Sequence, residues 1–148
     1  MNELVYLWAG LAIGLAWVWV ALWQSSLTHT SMVTMGKNPQ LAGFLLIVTI
    51  LWVALVESAA IYGLVVAFSI LWSETISGMA AIWAWLSIWI TGFGAGLWEG
   101  KLISGAMEAM NRNPENKNKI MAFMVLFAAL IEVIAIYGLI IAFKIIGG

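Results

Sequence analysis

Apolar residues come in four long blocks along the chain, approximately residues 4–35, 41–72, 76–110 and 120–146. Each exceeds the roughly 20 residues an α-helix needs to cross a bilayer, so four transmembrane helices are predicted. Polar residues gather between the blocks. Met35-Gly-Lys-Asn-Pro-Gln40 joins the first pair and Asn111-Arg-Asn-Pro-Glu-Asn-Lys-Asn-Lys119 the second. Proline lacks a backbone donor and disfavours helix in the residue before it, so Asn38-Pro39 and Asn113-Pro114 read as helix stops followed by restarts. A shorter link, Trp72-Ser-Glu-Thr-Ile-Ser-Gly78, separates the pairs. The pattern predicts an all-α membrane protein made of two tandem hairpins, residues 1–73 and 74–148.

Composition agrees: 64% hydrophobic residues, 9% charged residues and a mean hydropathy of +1.04 describe a chain whose solvent is lipid. The four blocks leave no room for a soluble domain of useful size. The first lacks a basic start and a small-residue cleavage site, carrying Asn2 and Glu3, so it is expected to be a mature helix rather than a signal peptide. Without cysteine, disulfides and thiolate metal sites are excluded. A net charge of −1 with no basic patch gives no nucleic-acid signal. Lys37, Arg112, Lys117 and Lys119 sit in the Pro-containing loops, and Glu3 and Glu74 at the opposite ends. The positive-inside rule then expects both loops in the cytoplasm and both termini outside. Lys144 dissents weakly, because a lysine at a helix end can snorkel to the interface.

The blocks also repeat. Leu55-Val-Glu-Ser-Ala-Ala-Ile-Tyr-Gly63 returns 75 residues later as Leu130-Ile-Glu-Val-Ile-Ala-Ile-Tyr-Gly138, and the two Asn-Pro pairs, Trp23 with Trp98, Met35 with Met110, and Ala67-Phe68 with Ala142-Phe143 share that offset. Each unit holds an even number of helices, so the repeat is parallel, which excludes an inverted-repeat transporter. Parallel hairpins suit rotational assembly about an axis along the membrane normal. The repeated acids Glu57 and Glu132 stand in hydrocarbon, where a charge costs about 3 kcal/mol even on the lenient insertion scale. Acids kept twice at that cost point to ion or proton handling. In the third block, Gly92-Phe-Gly-Ala-Gly-Leu-Trp-Glu-Gly100 carries small residues of the kind that let helices approach closely in lipid. Its counterpart in the first block is bulkier, with Trp17, Trp19 and Ala21. Trp8 and Trp72 fit an aromatic belt, while Trp17, Trp19, Trp23, Trp83, Trp85 and Trp89 sit deeper than a belt requires.

Together the spaced glycines from Gly92, Ala106-Met-Glu108, Arg112-Asn-Pro-Glu115, Glu132 and Tyr137 resemble the ring-forming c subunit, or proteolipid, of rotary ATP synthases. The first hairpin, with Lys37-Asn-Pro39, Glu57 and Tyr62, is similar but more divergent. The resemblance covers essentially the whole chain as two fused units. Such fusion is also similar to the V-type proteolipid, whereas Arg112-Asn-Pro-Glu115 leans toward the F-type.

Helix geometry places candidate ligands. Gln24 lies 15 residues before Pro39 and Glu57 lies 18 after it, so both reach a level about 25 Å from the turn at 1.5 Å per residue. The same geometry sets Glu99 beside Glu132, and of that pair one should hold a proton, since adjacent like charges in low dielectric cannot both ionise. A dry hard cation needs several oxygens, and Ser58 adds a hydroxyl to the first set. Neighbours on a helix point about 100° apart, so Glu57 and Ser58 are expected to face different flanking helices and to serve sites shared between hairpins. In c subunits, Gln on the inner helix, Glu-Ser on the outer helix and Tyr five residues after the Glu resemble the sodium pattern. By that resemblance Gln24, Glu57, Ser58 and Tyr62, with the carbonyl of Leu55, form one site. Glu99, Glu132, Tyr137 and Leu130 form the other, with Val133 in place of the serine. Glu99 could instead pair locally with Lys101.

What the resemblance implies is a non-catalytic rotor subunit that assembles into a homo-oligomeric ring. It would carry Na+, ahead of H+, past the stator a subunit, with no cofactor and with membrane lipids around it. Lys37, Asn38, Pro39, Arg112, Asn113, Pro114 and Glu115 would touch the central stalk, and the host would be a bacterial cytoplasmic membrane. Keeping an acid in both hairpins favours synthesis over pumping. The alternatives are a V-type proteolipid, a small four-helix proton-coupled exporter and a purely structural proteolipid.

Overall fold

A computed structural model describes residues 3–148; Met1 and Asn2 lie outside the described residues. Four helices follow one another: α1 (Glu3–Lys37), α2 (Ala42–Trp72), α3 (Gly78–Arg112) and α4 (Lys117–Gly147). All four are long and apolar enough to cross a membrane, and the molecule is an integral membrane protein of two tandem hairpins. The inner helices outrun their apolar blocks to end on Lys37 and Arg112, whose charges suit the negative end of the helix dipole. At 35 residues and 1.5 Å per residue, α1 and α3 are each about 52 Å long, well over the roughly 30 Å hydrocarbon layer.

The turns behave as their prolines require. The Asn38 and Asn113 backbone N–H groups still donate to Thr34 and Ala109, both at 2.9 Å. Pro39 and Pro114, which have no N–H to lose, then open short 3-10 turns that lead into the outer helices. At the link, Ser77 caps α3 by accepting from the Ala80 N–H at 3.1 Å.

Packing divides the helices into two layers. α1 lies along α3, α3 also seats against α2, and each outer helix lies along its own inner helix, while α2 and α4 touch each other little. The inner layer is therefore tight and the outer layer splayed, which makes the molecule a wedge. Two small-residue contacts set the closeness. A β-carbon at Gly63 would stand 2.8 Å from the Ala12 carbonyl, and one at Gly138 would stand 2.8 Å from the Ser87 carbonyl and overlap the Thr91 hydroxyl. Each outer helix thus meets its inner partner at a residue without a side chain. Between the inner helices, the Trp23 side chain fills the notch at Gly96 and Gly100.

Most of the deep tryptophans pack the inner layer. Trp8 meets Trp85 at 5.5 Å, Trp85 meets Trp89 at 6.0 Å, Trp89 meets Phe93 at 6.2 Å and Trp19 meets Phe93 at 4.7 Å, a ladder joining α1 to α3. Trp8 therefore belongs to this ladder rather than to a belt, whereas Trp72 is largely exposed. Outward, α2 and α4 present Leu46, Ile47, Ile50, Phe123, Leu126 and Ile134, a surface matched to lipid.

A candidate ion site between the hairpins

Glu132 is the centre of the one polar cluster that, among the described residues, joins both hairpins at mid-helix depth. Its Oε1 accepts from Ser58 Oγ at 2.6 Å and from the Tyr62 hydroxyl at 2.7 Å, both contributed by α2. From α3, the Glu99 carboxyl meets it in a side-chain contact. The cluster is dry: Glu99 is 1% exposed and Glu132 8%. Two oxygens remain without a partner, Glu99 Oε1 and Glu132 Oε2. A buried carboxylate oxygen left bare is costly, and a proton or a cation between the two acids would satisfy it. Glu132 also lines a groove of about 470 Å³ between α2 and α4 with Leu51, Leu55 and Val125, so the splayed outer layer opens toward it.

This grouping redraws the sets that the repeat predicts. The pattern assigns Ser58 and Tyr62 to Glu57, and the structure gives them to Glu132 instead. The reason is angular: Ser58 is one residue on from Glu57, so their side chains diverge by about 100°, and Tyr62 lies one turn beyond Ser58 on the same face. Glu57 is half-buried on α2 and, among the described residues, its carboxyl makes no hydrogen bond. Gln24 stands on α1 and donates through Nε2 to the Val53 carbonyl at 3.2 Å, one turn before Glu57. Tyr137 is 62% exposed, and Leu130 also faces outward. The local Glu99 to Lys101 pair does not form, because the two side chains point apart: Lys101 stands over the Trp98 ring at 4.8 Å.

Sequence reasoning missed the Val53 carbonyl and the tie between the two loops. The Asn38 amide donates to the Asn111 carbonyl at 2.9 Å and also contacts the Asn111 side-chain oxygen. At the same end a polar pocket of about 400 Å³ brings together His29, Lys37, Glu108 and Arg112. Among the described residues, no three His, Cys, Asp or Glu side chains are grouped to hold a metal ion. Two carboxylates and two hydroxyls suit a proton or a monovalent cation.

Comparison with known proteins closes on the same repeat. The family of ATP synthase C subunits matches residues 7–70 and again residues 82–145, two matches with the same 75-residue offset. The chain is similar to the ATP synthase c subunit of Clostridium beijerinckii, 45% identical over 58 residues, which is 39% of this chain and 82% of the relative. It is 39% identical over 72 residues to that of Protochlamydia amoebophila, covering 49% of this chain and 74% of the relative. It is 36% identical over 70 residues to that of Chloroflexus aurantiacus, covering 47% of this chain and 92% of the relative.

Proposed function

The chain belongs to the family of ATP synthase C subunits, present twice in one polypeptide, and from that premise we propose that it is the ion-carrying rotor subunit of an F-type ATP synthase. Like its family it is a non-catalytic membrane subunit. Several copies close into a ring, and each outer-helix acid carries one ion, Na+ ahead of H+. The ring turns against the stator a subunit while the Pro-containing loops hold the central stalk. Those loops face the cytoplasm of a bacterial membrane, and the termini face the other side.

The buried Glu99 and Glu132 pair, with Ser58 and Tyr62 donating to Glu132, carries this reading. Such a site has to be emptied and refilled. A neutralised carboxylate can rest beside lipid, whereas a bare one is stable only where solvent or an opposite charge meets it. A basic group on the stator would favour release, and an occupied site would re-enter lipid on the far side. One elementary charge crossing 100 mV yields about 2.3 kcal/mol, so several ions must be summed for each ATP. Retention of an acid in both hairpins keeps that sum high for the ring's size, which supports synthesis and the F-type over the V-type reading.

Two measurements test the proposal. The intact assembly, released from the membrane and weighed by native mass spectrometry, is expected at many multiples of the 16.2 kDa chain; a two-chain particle would reject the ring. Glu132→Gln is expected to abolish ion-driven ATP synthesis by the reconstituted complex while leaving the assembly mass essentially unchanged.

A further inference from the structure

The two hairpins are images of each other, but of the two repeated acids only Glu132 has side-chain hydrogen-bond partners among the described residues. Val5, Ala12, Val66 and Ile70 of the first hairpin are buried in one apolar cluster with Ala81, Ala84 and Ile88 of the second. The residues 75 positions on, Ala80, Ser87, Ile141 and Ile145, line an open groove of about 880 Å³ beside Tyr137 and Gly138. That groove is the repeat image of a surface already covered within the chain, so the shape that fits it is the first hairpin of a second copy. Carrying the observed joint across this contact brings Tyr137 and Val133 of one copy to Glu57 and Gln24 of the next. This mirrors how Tyr62 and Ser58 meet Glu132 and Glu99 within the chain.

The two stations then differ in chemistry. The intrachain station holds two carboxyls and the Ser58 hydroxyl, with two carboxyl oxygens unpartnered. The interchain station holds one carboxyl, the Gln24 amide oxygen and Tyr137. Where Ser58 would stand it has the apolar Val133. A sodium ion must replace its water with several oxygens at once, whereas a proton needs one oxygen to sit on and one acceptor. Resting on the rotor reading above, we infer that the chain is a two-ion carrier: Na+ binds at the intrachain Glu99 and Glu132 station, and H+ binds at the interchain Glu57 station completed by a second copy. Charge balances at both. The acid pair keeps one proton and takes one Na+, and Glu57 takes one proton.

Modification of the purified ring by a hydrophobic carbodiimide tests this, with Glu57 and Glu132 read separately by peptide mass spectrometry at fixed pH. Sodium chloride at ten times the half-protecting concentration, against potassium chloride at equal ionic strength, is expected to slow modification of Glu132 about tenfold and of Glu57 less than about twofold. Equal protection of both acids, or protection of Glu57 alone, overturns the assignment. Protection of neither overturns it as well, but leaves the rotor reading intact if the assembly weighs as a ring. The serine can then be exchanged. Ser58→Val is expected to remove sodium protection at Glu132, and Val133→Ser to confer it on Glu57. If Val133→Ser assembles and Glu57 stays insensitive to sodium, the missing hydroxyl is not what separates the stations.

Discussion

At the residue scale, close approach is bought by two glycines rather than by the acids. Gly63 and Gly138 occupy equivalent positions one residue after a site tyrosine, and each rests against an inner-helix carbonyl. A carbonyl held in a helical ladder cannot step aside as a side-chain tip can. Gly138→Ala is therefore expected to push α4 away from α3 and to destabilise the protein by about 1–3 kcal/mol, the usual range for overpacking. Thermal unfolding in detergent checks the direction, and Gly94→Ala is the control, since nothing lies within 4 Å of a β-carbon there. A melting point for Gly138→Ala equal to that of the control would show that the outer helix yields freely. The position of Glu132 depends on the same contact: Gly138 lies six residues beyond it, so a displaced α4 also draws the carboxyl away from Ser58 and Tyr62.

At the scale of elements, the described residues hold the hairpins together by inner-helix aromatic packing, by the Ser58 and Tyr62 bonds to Glu132 and by a tie between their loops. Asn38 and Asn111 are not repeat mates, so the tie joins unlike positions, and the repeat image of Asn111 is Gly36, which keeps the accepting backbone carbonyl but lacks the side-chain oxygen. Asn38→Ala is expected to cost about 1 kcal/mol and to speed hydrogen exchange in the turns more than at mid-helix. Uniform acceleration along the chain would instead mean that the tie supports the whole fold. The elements themselves were legible: apolar block length set the helices, Asn-Pro set the turns, and counting at 1.5 Å per residue brought Glu99 to Glu132. The angular assignment was not. Depth follows from the sequence of one helix, but whether Ser58 serves Glu57 or Glu132 depends on which helix stands beside it. The 100° step hinted that the two face apart without naming the neighbour. Trp23 was visible as a repeat mate of Trp98, yet its role follows from Gly96 and Gly100 lying across from it, a contact between helices that no single-helix pattern contains.

At the scale of the whole molecule, a tight inner layer and a splayed outer layer give each chain the shape of a sector, and one edge of that sector carries an exposed tryptophan. Trp83 is 57% exposed on the open groove, and its repeat mate Trp8 already packs at a tilt against Trp85 across the intrachain joint. The position opposite Trp83 in a second copy is the image of Trp85, which is Gly10, where nothing lies within 4 Å of a β-carbon. A large ring facing an open glycine is a knob meeting a vacancy, so the joint between chains should depend on Trp83 and the joint within the chain on Trp85. Burying a tryptophan between proteins commonly contributes about 2 kcal/mol or more where it anchors an interface, so a loss of that size per joint is expected for Trp83→Ala. Heating in detergent followed by native mass spectrometry separates the cases. Trp83→Ala should release single 16.2 kDa chains at lower temperature with helicity retained, whereas Trp85→Ala should lower the temperature at which helicity itself is lost. If Trp83→Ala rings come apart at the wild-type temperature, the second copy does not dock on this edge, and the interchain station built there falls with it.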